Sequence, residues 1–188
     1  MKKNTVDKTT PEYLLKQMAG ARSSLLIVLA FTLVNLVMLL VDSGRYFLFS
    51  AFVPYFLTAF GMGMDMGMGY DGIGTCTIIT LVISAVVLCW YLLCWILCKK
   101  RPGWYIAALV AFALDTVVML VLLFVMGGMA ESIMDLVFHA WVIVELVQAI
   151  SANSKLKKLP AEAFAPEAEA PAAAPVAAAP VAGEAVTA

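Results

Sequence analysis

Residues 45–60 read RYFLFSAFVPYFLTAF, and whether this stretch crosses a membrane decides between four spans and five. It is apolar and aromatic, but shorter than the roughly 20 residues a spanning helix needs, and Pro54 stands near its middle. Charge bias settles the reading. If the stretch does not span, Lys2, Lys3, Lys8, Lys16, Arg22, Lys99, Lys100, Arg101, Lys155, Lys157 and Lys158 fall on one side, with Arg45 alone opposite. If it does span, the amino-terminal cluster and the Lys99 cluster face opposite compartments. The expectation is therefore an outer interfacial or re-entrant segment, with Tyr46, Phe47, Phe49, Phe52, Tyr55, Phe56 and Phe60 at headgroup depth.

The 188 residues are 63% hydrophobic and 13% charged, with a mean hydropathy of +0.96. This balance marks an integral membrane protein. Apolar runs at 23–41, 75–98, 103–126 and 131–150 are each long enough to cross the hydrocarbon core. Short links, KKRPGW and GGMAES, make the later helices antiparallel neighbours. The expected fold is all-α: an antiparallel bundle of four transmembrane helices, with both termini cytoplasmic and an aromatic-rich outer segment at 42–74. The first run is too long for a signal-peptide core and lacks a small-residue cleavage site, so it reads as a retained anchor. The net charge of −1, with cations in three separate clusters, argues against nucleic acid as a partner.

The two ends differ in character. Residues 1–22 form a cytoplasmic tail in which Thr9 and Glu12 have capping-box spacing and Pro11 suits a first turn. A helix starting there presents Leu14, Leu15 and Met18 on one face and Lys16 and Arg22 to anionic headgroups, bending into the first span afterwards. Trp95, Trp104 and Tyr105 suit the inner boundary. Residues 151–188 begin with a basic juxtamembrane stretch and continue as a tract rich in Ala, Pro and Glu, with too little bulky apolar surface to offset its ordering entropy. That tract reads as an extended, disordered cytoplasmic tail.

Polar residues inside the spans are few. Asp115 sits near the middle of the third run, where a carboxylate costs about 2.5 to 3.5 kcal/mol to insert, and so calls for a partner. Ala107, Ala111 and Asp115 are spaced i, i+4, i+8, a stripe along which another helix can approach closely. Counted from the outer ends at about 1.5 Å per residue, Asp115 lies about 16 Å deep, Ser84 about 13 Å, His139 about 12 Å and Asn35 about 9 Å. Thr77, Thr80 and Ser84 share one face of the second run. Asn35, Ser84, Asp115, His139 and Glu145 thus form the candidate intramembrane polar cluster. One reading is a relay, with Asp135 at the outer mouth, His139 exchanging a proton with Asp115, and Glu145 and Gln148 further in. Glu145 and Gln148 point well around the helix from Asp135 and His139, so one straight pathway is not implied. The alternative is that these groups hydrogen-bond one another and hold the helices in register.

GMGMDMGMGYDG, at 61–72, spaces Met62, Met64, Met66 and Met68 two apart, with Asp65 and Asp71 nearby. Thioether sulfur suits Cu(I), and glycines let a loop wrap several donors around one ion. In that one feature the stretch resembles the methionine clusters of copper transporters and periplasmic copper chaperones. The resemblance implies Cu(I) as the ligand and covers about a dozen residues. Trimeric copper transporters have three spans and a methionine pair within a helix, whereas this chain has four spans. Cys94 and Cys98, at i, i+4, offer a two-thiolate exit site, while the plainer reading makes the methionines adaptable apolar filler in a surface turn.

With one histidine there is no HExxH zinc site, and no GxSxG or GxxxxGK[ST] is present. The expectation is a non-enzymatic structural or interaction component of an inner or plasma membrane. Its partners would be the bilayer and other membrane proteins or further copies of itself. The alternative is a small cation transporter or channel component, with the methionine loop as its outer collecting site.

Overall fold

The computed structural model describes residues 9–42, 44, 46–47, 49–126 and 133–164. The Ala/Pro tract beyond 164, residues 1–8, the 127–132 link and Arg45 lie outside the described residues. Five α-helices and no strand occur among those described: α1 Pro11–Leu40, α2 Phe52–Gly67, α3 Thr75–Lys100, α4 Trp104–Met126 and α5 Ile133–Leu156, with a short 3-10 turn at Ala161–Phe164. Helices α1, α3, α4 and α5 are long and apolar enough to cross a membrane, as a multi-pass membrane protein requires. At 16 residues α2 is too short to do so.

Helix α1 begins where Thr10 Oγ1 accepts from the Tyr13 amide at 3.4 Å, with Pro11 in the first turn. The cap is thus Thr10 rather than the expected Thr9. The helix then runs 30 residues without a break, so the amino-terminal helix and the first span are one rod instead of two segments joined by a bend. Nothing between Ala21 and Val28 interrupts it, because Ala21, Leu25 and Val28 are buried one turn after another against the core.

The same core takes Tyr91, Cys94 and Cys98 from α3, Tyr105, Ala108 and Phe112 from α4, and Phe138, Val142, Leu146 and Ala149 from α5. The buried line of α4 therefore passes through Ala108, Phe112 and Asp115. Ala107 and Ala111, expected on the line of closest approach, are only half-buried. Large apolar side chains such as Val86, Leu114 and Val121 remain exposed around the outside, as lipid-facing positions do.

The GMGMDMGMG stretch is not a loop. Residues 61–67 are the last turns of α2, and the helix stops in a Schellman motif: Gly69 N–H bonds to Met66 C=O at 3.0 Å and Tyr70 N–H to Asp65 C=O at 3.1 Å. Gly69 adopts φ +82°, the left-handed conformation that this stop requires. Of the glycines in this stretch, Gly61 lies where α2 meets α3, whereas Gly63 and Gly67 have open space around them. A Cβ on Gly61 would run into Thr80 Oγ1 and stand 2.9 Å from the Cys76 carbonyl oxygen.

Candidate functional site

Pro54 proves to be the third residue of α2, where its missing N–H costs nothing. A helix leaves its first four N–H groups without intrahelical partners, and here each is accounted for. The Ala51 N–H donates to Thr32 Oγ1 on α1 at 2.8 Å. Those of Phe52 and Val53 donate to Asp115 Oδ2 and Oδ1 on α4 at 2.9 and 2.8 Å, and Pro54 has none. Asp115 is the twelfth residue of the 23 in α4, so α2 starts level with the middle of that helix. The chain turns back into the bundle after α1.

The turn is held by Asn35, whose amide nitrogen donates to the Phe47 carbonyl at 2.7 Å and to Ser50 Oγ at 2.9 Å. Its Oδ1 accepts from the Phe47 N–H at 2.8 Å. Phe49 sits at φ +75°, an uncommon conformation for a bulky residue. Its ring meets Phe138 edge-on at 4.8 Å, and that packing together with the Asn35 bonds holds the strained corner in place. Tyr46 Oη lies 3.0 Å from Ser50 Oγ. Burial pushes the Tyr46 hydroxyl up to about 12, against a downward pull from the Ser50 bond.

Asp115 also meets His139, whose Nε2 is 3.1 Å from Oδ2. The imidazole is 1% exposed, stacks on Phe112 with centroids 4.8 Å apart, and places Nδ1 2.8 Å from the Asp135 carbonyl oxygen. A carbonyl only accepts, so Nδ1 carries a proton. Both Asp115 oxygens already accept backbone N–H groups, so the Nε2–Oδ2 contact needs one further proton. The pair is consequently neutral overall, as imidazolium with carboxylate or as imidazole with carboxylic acid. Beside it, Asp135 Oδ1 is buried without a hydrogen-bond partner among the described residues.

Ser84 Oγ donates to the Pro54 carbonyl at 2.9 Å and lies 3.1 Å from Thr58 Oγ1. Thr77, Thr80 and Ser84 do share a face, and α2 lies along it. At its far end Asp65, with no exposed surface, caps α3: Oδ1 accepts from the Cys76 N–H at 3.1 Å, and Oδ2 from the Thr77 N–H at 2.8 Å and Thr77 Oγ1 at 2.6 Å. Gly74 has no side chain to block that carboxylate. Burial pushes the Asp65 carboxyl up, but the bonds from Thr77 and Cys76 outweigh it and hold it below the ordinary carboxylate value.

The structure thus brings Asn35, Ser84, Asp115 and His139 around the amino-terminal end of α2, and takes Glu145 elsewhere. Glu145 accepts from the Ser24 hydroxyl on α1, near the Gln17–Gln148 contact at 3.4 Å. The four methionines are split. Successive members lie about 200° apart around the helix, so Met62 and Met66 mark one side and Met64 and Met68 the other. Asp65 is engaged at α3, and Cys94 and Cys98 are buried in the core. Among the described residues no group of three or more His, Cys, Asp or Glu is placed to hold a metal ion.

Thr32, Ser50 and Thr58 were not singled out from the sequence. Thr32 stands three residues from Asn35, on the same face of α1, which is the signal that could have found it. Beside Asp115 an apolar groove of about 430 Å³, lined by Val53, Val86, Trp90, Ala111 and Leu114, opens between α3 and α4. Comparison with known proteins finds no family model, no curated protein and no solved structure that this chain matches.

Proposed function

We propose that this chain is a non-enzymatic structural and interaction component of an inner or plasma membrane. In this reading four antiparallel spans with cytoplasmic termini carry α2 as a re-entrant helix on the outer side. The observation that supports it is the complete pairing of the α2 amino-terminus. The costliest polar residue of the spans, Asp115, has both oxygens engaged by backbone N–H groups, with Thr32 completing the set. A carboxylate so employed holds one element of the fold against another and presents no free oxygen to a passing ion. The exposed aromatic and methionine side chains of α2, such as Phe60, Met64 and Met66, are then the surface offered to other membrane proteins or to further copies of the chain.

A second reading, cation handling, is favoured by the Asp135 oxygen beside His139, which has no hydrogen-bond partner among the described residues, and by the neutral pair behind it. Flux measurements on proteoliposomes separate the two. Wild-type protein and Asp115→Asn are reconstituted and assayed for proton and Cu(I) entry. The structural reading expects neither protein to exceed empty vesicles. Wild-type flux that disappears in Asp115→Asn, with the variant still folded, would overturn it in favour of a relay.

A further inference from the structure

At the Lys99 end of the bundle, Arg22 enters a crevice between α1, α3 and α4. Its Nε donates to the Trp95 carbonyl at 3.4 Å, and the guanidinium carbon stands 5.5 Å from the centre of the Trp95 ring. The side chain is thereby drawn between the helices, where it is half-buried, although it could extend into water. Tyr105 closes the floor, its hydroxyl donating to the Met18 carbonyl at 2.8 Å.

Among the described residues the sole ion pair is His139–Asp115, so neither Arg22 nor any described lysine has a carboxylate within 4 Å. An arginine fixed through Nε and one face still presents its two terminal nitrogens as a fork, suited to two oxygens of one anion. Beside it is a cavity of about 160 Å³ lined by Met18, Ala19, Arg22, Cys98, Lys99 and Tyr105. The crevice is open at its mouth and large enough to admit a phosphate group. Lys99 adds a second cation at the mouth, and Leu26, Leu92 and Ile96 lie exposed nearby on α1 and α3, where acyl chains would run.

We infer that this crevice binds the phosphate of an anionic phospholipid headgroup in the leaflet at the Lys99 end. The guanidinium fork takes two phosphate oxygens, Lys99 contributes charge, and the acyl chains follow the apolar flank. Basic pockets between spans are a known way of holding such headgroups. Here the arginine is oriented by Trp95 at the edge of a crevice, and among the described residues no carboxylate stands within 4 Å of it. Such binding holds whether the chain is a scaffold or a transporter.

The test uses full-length protein in mixed micelles, with native mass spectrometry reading retained phosphatidylglycerol against phosphatidylcholine. Wild-type protein is expected to retain phosphatidylglycerol selectively. Arg22→Gln should lower its affinity about tenfold, the loss of one bidentate charged contact. Ala19→Leu, which narrows the cavity while leaving the Arg22 charge in place, should do the same. Lys157→Gln, which removes a cation outside the cavity, should leave retention unchanged. Equal retention of both lipids by wild-type protein would overturn the proposal, as would a Lys157→Gln loss matching that of Arg22→Gln, the mark of general surface attraction. Saturable binding of inorganic phosphate that phosphatidylglycerol does not displace would overturn the lipid as the source of the phosphate.

Discussion

Nε2 of His139 stands 3.1 Å from Oδ2 of Asp115, and the bonds on the far side of both groups leave a single proton for the two to share. That arrangement pairs two buried ionisable groups while keeping both carboxylate oxygens on the α2 amino-terminus, the positive end of that helix dipole. Asp115→Asn keeps one carbonyl acceptor and turns an NH2 toward the other backbone N–H, leaving a buried donor unpaired. The expected loss is about 1 to 3 kcal/mol of unfolding free energy, measured by equilibrium denaturation in mixed micelles. Combined with His139→Gln, the two losses should fall short of additivity by about 0.5 to 3 kcal/mol, the range for residues in direct contact.

Asp65 predicts an acid limit for the α2–α3 junction. Its ordinary value is 3.8 and its folded value is lower, so folded protein binds fewer protons than unfolded protein between the two. The contribution is therefore fully present above about pH 5, and is lost as pH falls from there through the lowered folded value. Hydrogen exchange, expressed as protection factors for the Cys76 and Thr77 amides, should be flat from pH 7 to about 5 and drop below about pH 4. Asp65→Asn should show less protection at neutral pH and no such drop. A wild-type drop that persists in the variant would assign the acid limit to another group.

The glycines of the 61–67 stretch should differ sharply in tolerance. Gly61→Ala places a Cβ into Thr80 and the Cys76 carbonyl, which must shift, and is expected to cost about 1 to 3 kcal/mol as an overpacking change. Gly63→Ala meets nothing within 4 Å and removes a helix-breaking residue, so it should be neutral or stabilising by up to about 1 kcal/mol. Denaturation midpoints of the two variants, measured side by side, check this ordering. Equal effects would mean that α2 does not lie on α3 at Gly61.

These particulars show where the sequence was readable. The four spanning runs were, because length and apolarity suffice to mark them, and so was the need of Asp115 for a partner. His139 was the one histidine, and at a similar estimated depth. The backbone N–H groups of Phe52 and Val53 were not foreseeable as its other partners, because only the dip of α2 into the bundle carries them to mid-span. The methionine stretch was misread because alternating glycines weaken an isolated helix by about 1 kcal/mol each, and the contact at Gly61 that outweighs this is tertiary. Its stop was in plain view, since Gly69 stands where a Schellman motif needs it. Asp65 looked like a metal donor because nothing local reveals that its acceptors serve amides eleven and twelve residues further on.

The helical path of the methionines limits what they can bind together. A flexible loop could gather all four sulfurs on one ion, but a helix puts Met62 and Met66 on one side and Met64 and Met68 on the other, so no single Cu(I) reaches more than one pair. Two thioethers alone make a weak site, and Asp65 is engaged at α3. A Cu(I) competition titration on detergent-purified protein should therefore give the same weak binding for wild type and for the variant with Met62, Met64, Met66 and Met68 changed to leucine. Leucine preserves the apolar contact surface, so the variant should also keep its fold and denaturation midpoint. Tight wild-type binding that vanishes in the variant would require α2 to unwind around the ion. Hydrogen exchange of the 61–67 amides, measured with and without Cu(I), would reveal that unwinding directly and would make cation collection the working account of this end of the molecule.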